Sequence, residues 1–140
     1  MITTESTCPC GSEEPFGKCC LRIINNHSLA KTAEELMRSR YTAFVIKDNG
    51  YILKTWSKKT RPRKLQEDIN PIQWIDLIIE NTSKGLAEDT TGEVEFTVHF
   101  LEGKEFCVLH EKSRFRKSKN LWYYIDGDCE LKRESLSLKK

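Results

Sequence analysis

Four of the six cysteines fall within thirteen residues, in the stretch CPCGSEEPFGKCC (8–20). Cys8-Pro-Cys10 forms one close pair and Cys19-Cys20 a second. Two short clips of soft ligands are what a tetrahedral zinc site requires. Gly11, Pro15 and Gly17 lie between the clips and let the chain double back, and Lys18 and Arg22 supply positive charge beside the thiolates. Phe16 is the one large apolar residue of the stretch, so burial alone cannot fold it and a bound metal would supply the missing energy. A disulfide between adjacent cysteines is geometrically strained. A thioredoxin-type pair needs two intervening residues, a spacing the chain lacks. The spacing therefore favours metal over a disulfide or redox pair.

Arg40 is the second residue of chemical interest. It lies at helical spacing among Leu36, Met37 and Phe44, in the middle of an apolar stripe. A buried guanidinium needs a carboxylate or carbonyl partner. In CVLHEKSRF the more apolar alternate face holds Cys107, Leu109, Glu111, Ser113 and Phe115, which makes an inward Glu111 the expected partner. With Trp56, Trp74, Ser113 and Tyr123 or Tyr124, this pair suits an aromatic-lined pocket for a small organic ligand. The plainer expectation is an ion pair that fixes helix against sheet. A cavity above about 300 Å³ with unpaired polar groups supports the ligand; a filled core with Arg40 and Glu111 paired opposes it. His99 and His110 are expected away from the core, Cys107 is a small core residue, and Asp126-Gly127 reads as a turn. A basic loop over 54–64 and a basic turn over 112–119, beside Trp56 and Phe115, point to a surface for RNA, ribosome or an acidic protein partner.

The elements that must position these residues follow from periodicity. Thr32 and Glu35 form a capping box ahead of a helix from Ala33 that ends at KDNG (47–50). A short helix is expected at YILKTW (51–56), and a third at PIQWIDLIIENT (71–82), capped by Asn70 with Pro71 at its first position. The period then changes to two: EVEFTVHF, FCVLHEKSRF and LWYYIDGD read as an antiparallel meander. The last residues, ELKRESLSLKK, show no pattern and are expected to fray. Helices followed by a meander imply an α+β domain with helices on one face of a curved antiparallel sheet.

With 140 residues the chain suits one domain with a small appendage. No run approaches the roughly 18 apolar residues of a membrane helix. MITTEST lacks the marks of a signal peptide, so a cytoplasmic location, with reduced thiols, is expected. A net charge of +2 is too small to imply nucleic-acid binding by itself.

CPCGSEEPFGKCC resembles the SEC-C motif, a zinc-binding element named for the tail of the bacterial translocase motor SecA. The resemblance implies Cys8, Cys10, Cys19 and Cys20 as the ligands of a structural zinc, with Glu13 and Glu14 where the motif usually has glycine and basic residues. AEELMRSRYTAFVIKDNGYILKTW and LHEKSRFRKSKNLWYYIDG resemble the bacterial YchJ family, so the likeness spans residues 8 to about 127. That family is similar to the nuclear-transport-factor-2-like (cystatin-like) superfamily, a cone of three helices wrapped by a bent sheet that often encloses a pocket. The implied organisation is a zinc-binding motif over 1–24, a nuclear-transport-factor-2-like domain over 25–130 and a tail over 131–140. A second SEC-C motif, common near the C-terminus of such proteins, is reduced here to Cys129. The superfamily includes enzymes and pure binding proteins, so fold alone does not give function. The reading favoured by the sequence is a zinc-binding adaptor or interaction protein, with an enzyme or small-molecule binder as the alternative.

Overall fold

The computed structural model describes residues 2–65 and 71–136. Three α-helices, α1 (Cys20–Asn25), α2 (Ala33–Ile46) and α3 (Asn49–Lys54), precede four strands, β1 (Ile72–Lys84), β2 (Thr91–Glu102), β3 (Glu105–Ser118) and β4 (Leu121–Ser135). The strands form one antiparallel sheet in the order β1-β2-β3-β4.

The Thr32 cap forms, and the return bond from Glu35 falls one residue before the N-cap. Thr32 Oγ1 accepts from the Glu35 amide at 3.1 Å, and Glu35 reaches back to the Lys31 amide at 2.9 Å. The helix ends where Lys47 takes a left-handed φ of 63°. Asn49 and Gly50 do not stop it, however; they open α3, whose first turn is capped by the Asp48 carboxylate on the Tyr51 amide. Along β2, Val94, Phe96, Val98 and Phe100 all point into the core, as alternation requires.

The expected helix over 71–82 is instead β1; its proposed cap, Asn70, lies outside the described residues. The physical reason is a pair of register shifts, between Trp74 and Asp76 and between Ile79 and Asn81. The first inserts a residue into the two-residue alternation, so Ile72, Trp74, Leu77 and Ile79 share the inner face at spacings of two, three and two. That spacing imitates a helical stripe, while the four isoleucines of the segment favour a strand. The C-terminal segment is also corrected. β4 continues through Asp126-Gly127 and pairs with β3 as far as Ser135 opposite Glu105. Its outer half is solvent-exposed, so backbone hydrogen bonds hold it without any hydrophobic pattern.

The cysteine knuckle packs into the apolar core of the domain. Thr7 bridges Pro15, and the Cys8 amide donates to Glu14 O at 2.8 Å, which folds the segment back on itself. Cys8, Cys10, Phe16 and Cys20 then belong to the same apolar cluster as Leu36 and Met37 of α2 and Leu77 of β1. Gly11 turns with φ +85°, and a Cβ there would lie 3.3 Å from Leu77 O, so the turn rests directly on β1.

Candidate metal centre and pocket

The knuckle's fold brings one sulfur from each of Cys8, Cys10, Cys19 and Cys20 to within 4.8 Å of the others. Four sulfurs at about 2.3 Å from a central zinc form a tetrahedron with edges of about 3.8 Å. The Cys10–Cys19 separation of 3.6 Å is close to such an edge, and three of the four residues are buried. The donor set and its geometry fit a closed, four-thiolate zinc site. The electrostatics agree. Cys10 is drawn far below the ordinary thiol range because the thiols of Cys20 and Cys8 donate to it, and Cys20 is pushed far above that range by the same bond. Burial pushes Cys19 up to about 11. The cluster takes its first negative charge readily and resists further ones, a resistance that a dication would remove.

Neighbouring groups orient the sulfurs. Ser12 Oγ lies 3.1 Å from Cys19 Sγ, and Thr42 Oγ1 of α2 lies 3.8 Å from Cys8 Sγ. Arg38 binds the Cys10 carbonyl at 2.6 Å and Glu34 at 2.9 Å, tying the knuckle to α2. Arg22, expected beside the thiolates, instead donates to Lys18 O and faces Glu35. The sequence signal for Arg38 is its i+4 spacing from Glu34; nothing local announces its carbonyl partner.

On the other side of α2, between helix and sheet, lies a cavity of about 260 Å³. Arg40, Trp56, Trp74, Glu111, Ser113 and Tyr124 all line it. Arg40 is buried, but Glu111 is not its direct partner. Its Nη1 donates to Ile52 O at 2.8 Å and to Thr55 Oγ1 at 2.7 Å, at the C-terminal end of α3. The guanidinium carbon stands 4.7 Å from the Tyr124 ring centre and 5.3 Å from that of Trp56, within cation–π range. Burial lowers its pKa to about 10, so it remains a cation at neutral pH. Glu111 does point inward, where it accepts from Ser113 Oγ at 2.7 Å and from the Tyr124 hydroxyl at 3.0 Å. Tyr124 thus stands between the two charges that the sequence pairs directly. Gly127 makes the room: a Cβ there would meet Glu111 Cδ at 2.9 Å and Cγ at 3.0 Å.

The remaining candidates lie elsewhere. His99 pairs with Asp76 and His110 with Glu95. Cys107 is fully buried and Cys129 exposed. Asp126 is a strand residue held by Arg114 at 2.6 Å, not part of a turn. Tyr123 leaves the pocket and packs edge-on against His27, a buried histidine that sequence patterning does not single out. The two basic runs converge: Lys58 and Lys59 share a cleft of about 280 Å³ with Arg116, Lys119 and Tyr123. Phe115, expected beside them, turns into the core.

Helices packed on a four-stranded antiparallel sheet, preceded by a four-cysteine knuckle, define an NTF2-like domain with a SEC-C motif, and both patterns match the chain. Residues 32–127 match the middle NTF2-like domain of YchJ and residues 6–22 the SEC-C motif. The chain belongs to the YchJ (UPF0225) family. A UPF0225 protein of Streptomyces coelicolor is 45% identical over 122 residues, 86% of this chain and 94% of that protein. One from Corynebacterium glutamicum is 42% identical over 123 residues, 88% and 97% of the two chains. The solution structure of a SEC-C motif containing protein from Rhodopseudomonas palustris superposes with a TM-score of 0.76 at 30% identity, over 88% of this chain and 98% of that one. The crystal structure of another, from Psychrobacter arcticus, gives 0.69 at 26%, over 90% and 84%. Among the described residues no helix is long and apolar enough to cross a membrane.

Proposed function

We propose that this chain is a binding protein in which a structural zinc, held by Cys8, Cys10, Cys19 and Cys20, locks the knuckle to a domain that receives a small organic molecule. The observation that carries the reading is the aromatic-lined cavity: at about 260 Å³ it is smaller than the roughly 300 Å³ expected for a ligand, but it keeps an unpaired polar group, Trp56 Nε1, and Arg40 is not paired directly with Glu111. No cysteine or histidine lines it, and its carboxylate is engaged by Ser113 and Tyr124, so the lining suits recognition more than nucleophilic chemistry. Four thiolates around zinc leave no open coordination position, which gives the metal a structural role. Elemental analysis of protein purified under reducing conditions without chelator should return one zinc per chain. An NMR screen with small aromatic compounds should shift the indole signals of Trp56 and Trp74, and Leu109→Phe, which fills the cavity, should abolish those shifts. A screen that leaves both indoles unmoved would remove the pocket reading.

A second reading, an interaction protein for RNA or ribosome, is favoured by the convergence of the two basic runs. Lys58, Lys59, Arg116 and Lys119 flank one cleft, none of them in an ion pair with a described residue, and Tyr123 offers a ring for stacking. Fluorescence anisotropy with a single-stranded RNA should show affinity that falls with salt and is lost in Lys59→Glu/Arg116→Glu. Equal binding by that variant would exclude the cleft.

A further inference from the structure

The polar end of the cavity holds groups that the surrounding side chains leave without hydrogen-bond partners. Arg40 is 4% exposed, and both its hydrogen bonds are made by Nη1. Its Nε and Nη2 have no acceptor among the described residues. Trp56 Nε1, on the same cavity, is buried without a hydrogen-bond partner. Both hydrogen bonds recorded for Glu111 are donated to its Oε2, by Ser113 and Tyr124. Around the buried cation, then, Trp56 Nε1 is a buried donor without an acceptor, and Glu111 Oε1 is an acceptor without a hydrogen bond among the described residues. A buried donor without an acceptor is rare and destabilising, and among the described residues Trp56 Nε1 is the one side-chain atom in that state. The two free nitrogens of Arg40 are neighbours on one edge of the guanidinium plane. That edge grips a carboxylate through two parallel N–H···O bonds, which neither a single carbonyl nor an alcohol can reproduce. The rest of the wall, including Tyr41, Trp74 and Phe96, is apolar.

We infer that the cavity takes a small monocarboxylate with an apolar body, its carboxylate accepting from the free edge of Arg40 and from Trp56 Nε1. The inference rests on the pocket-binding reading and names its ligand class. The test is calorimetric titration of the full-length, metal-loaded protein with 3-phenylpropionate and with its neutral counterpart 3-phenylpropionamide. The carboxylate should bind at least tenfold more tightly than the amide. Trp56→Phe keeps an aromatic ring and removes the N–H; it should weaken the carboxylate about tenfold and leave the amide less affected. It removes an unpaired donor, so its melting temperature should not fall appreciably, and it carries the test if Arg40→Lys does not fold. Equal or tighter binding of the amide would overturn the carboxylate assignment while leaving the pocket reading intact. Failure of both compounds to bind at about 10 mM would overturn both.

Discussion

Withdrawing the zinc proposed for the knuckle should destabilise the whole domain and not the knuckle alone. Cys20 opens α1, and Ile23 and Ile24 follow within one turn; these two side chains and Phe16 are each less than 10% exposed within the common apolar cluster. If the four sulfurs let go, all three lose their seat. Fully burying such a side chain contributes about 1.5–3 kcal/mol, so the three together are worth roughly 5–9 kcal/mol. Residual compactness of the unfolded chain reduces that figure. Against a typical domain stability of about 5–15 kcal/mol the loss is large. At roughly 3 °C per kcal/mol for a chain of this size, the melting temperature should fall by at least about 10 °C. Thermal unfolding followed by far-UV circular dichroism, on metal-loaded and chelator-treated protein and on Cys20→Ser, measures this directly. A fall below about 3 °C, with metal loss verified by elemental analysis, would refute the coupling and make the knuckle an independent unit.

Two further predictions follow from the fold. His27 Nε2 donates to Trp122 O at 2.6 Å, and burial holds its pKa below the usual 6.5. Between that lowered value and 6.5 the unfolded chain binds more protons than the folded one, so the contribution is full above pH 6.5 and is lost as pH falls through the window. Melting temperatures at pH 7.5 and 5.5 should differ less in His27→Gln than in the native protein; an equal difference would show that His27 is not responsible. In Gly127→Ala the added methyl collides with Glu111. The carboxylate must then leave Ser113 and Tyr124, with a stability loss of about 1–3 kcal/mol in chemical denaturation. An unchanged midpoint would mean that the strands spread apart at no measurable loss.

What the sequence reveals here is what depends on local spacing. The cysteine clips, the Thr32–Glu35 cap and the alternation from Val94 to Phe100 are all short-range patterns, and the structure contains each. Glu111 and Ser113 are likewise readable as inward residues, because β3 is regular from Glu105 to Arg114. Arg40's actual acceptors are not readable, since Ile52 O and Thr55 become available only where α3 ends against α2. Arg38 escapes for the same reason: its surface-type spacing with Glu34 hides a hydrogen bond to a carbonyl 28 residues away. The hardest element is β1, where the register shift between Trp74 and Asp76 turns a strand's alternation into a helical rhythm. Its placement matters for function. Leu77 O sits against the Gly11 turn while Trp74, three residues earlier, lines the cavity, so this one strand touches both the metal knuckle and the pocket. A helix in its place would leave Gly11 without the carbonyl edge it packs on. The strand whose rhythm imitates a helix is therefore the element on which both the cysteine knuckle and the cavity rest.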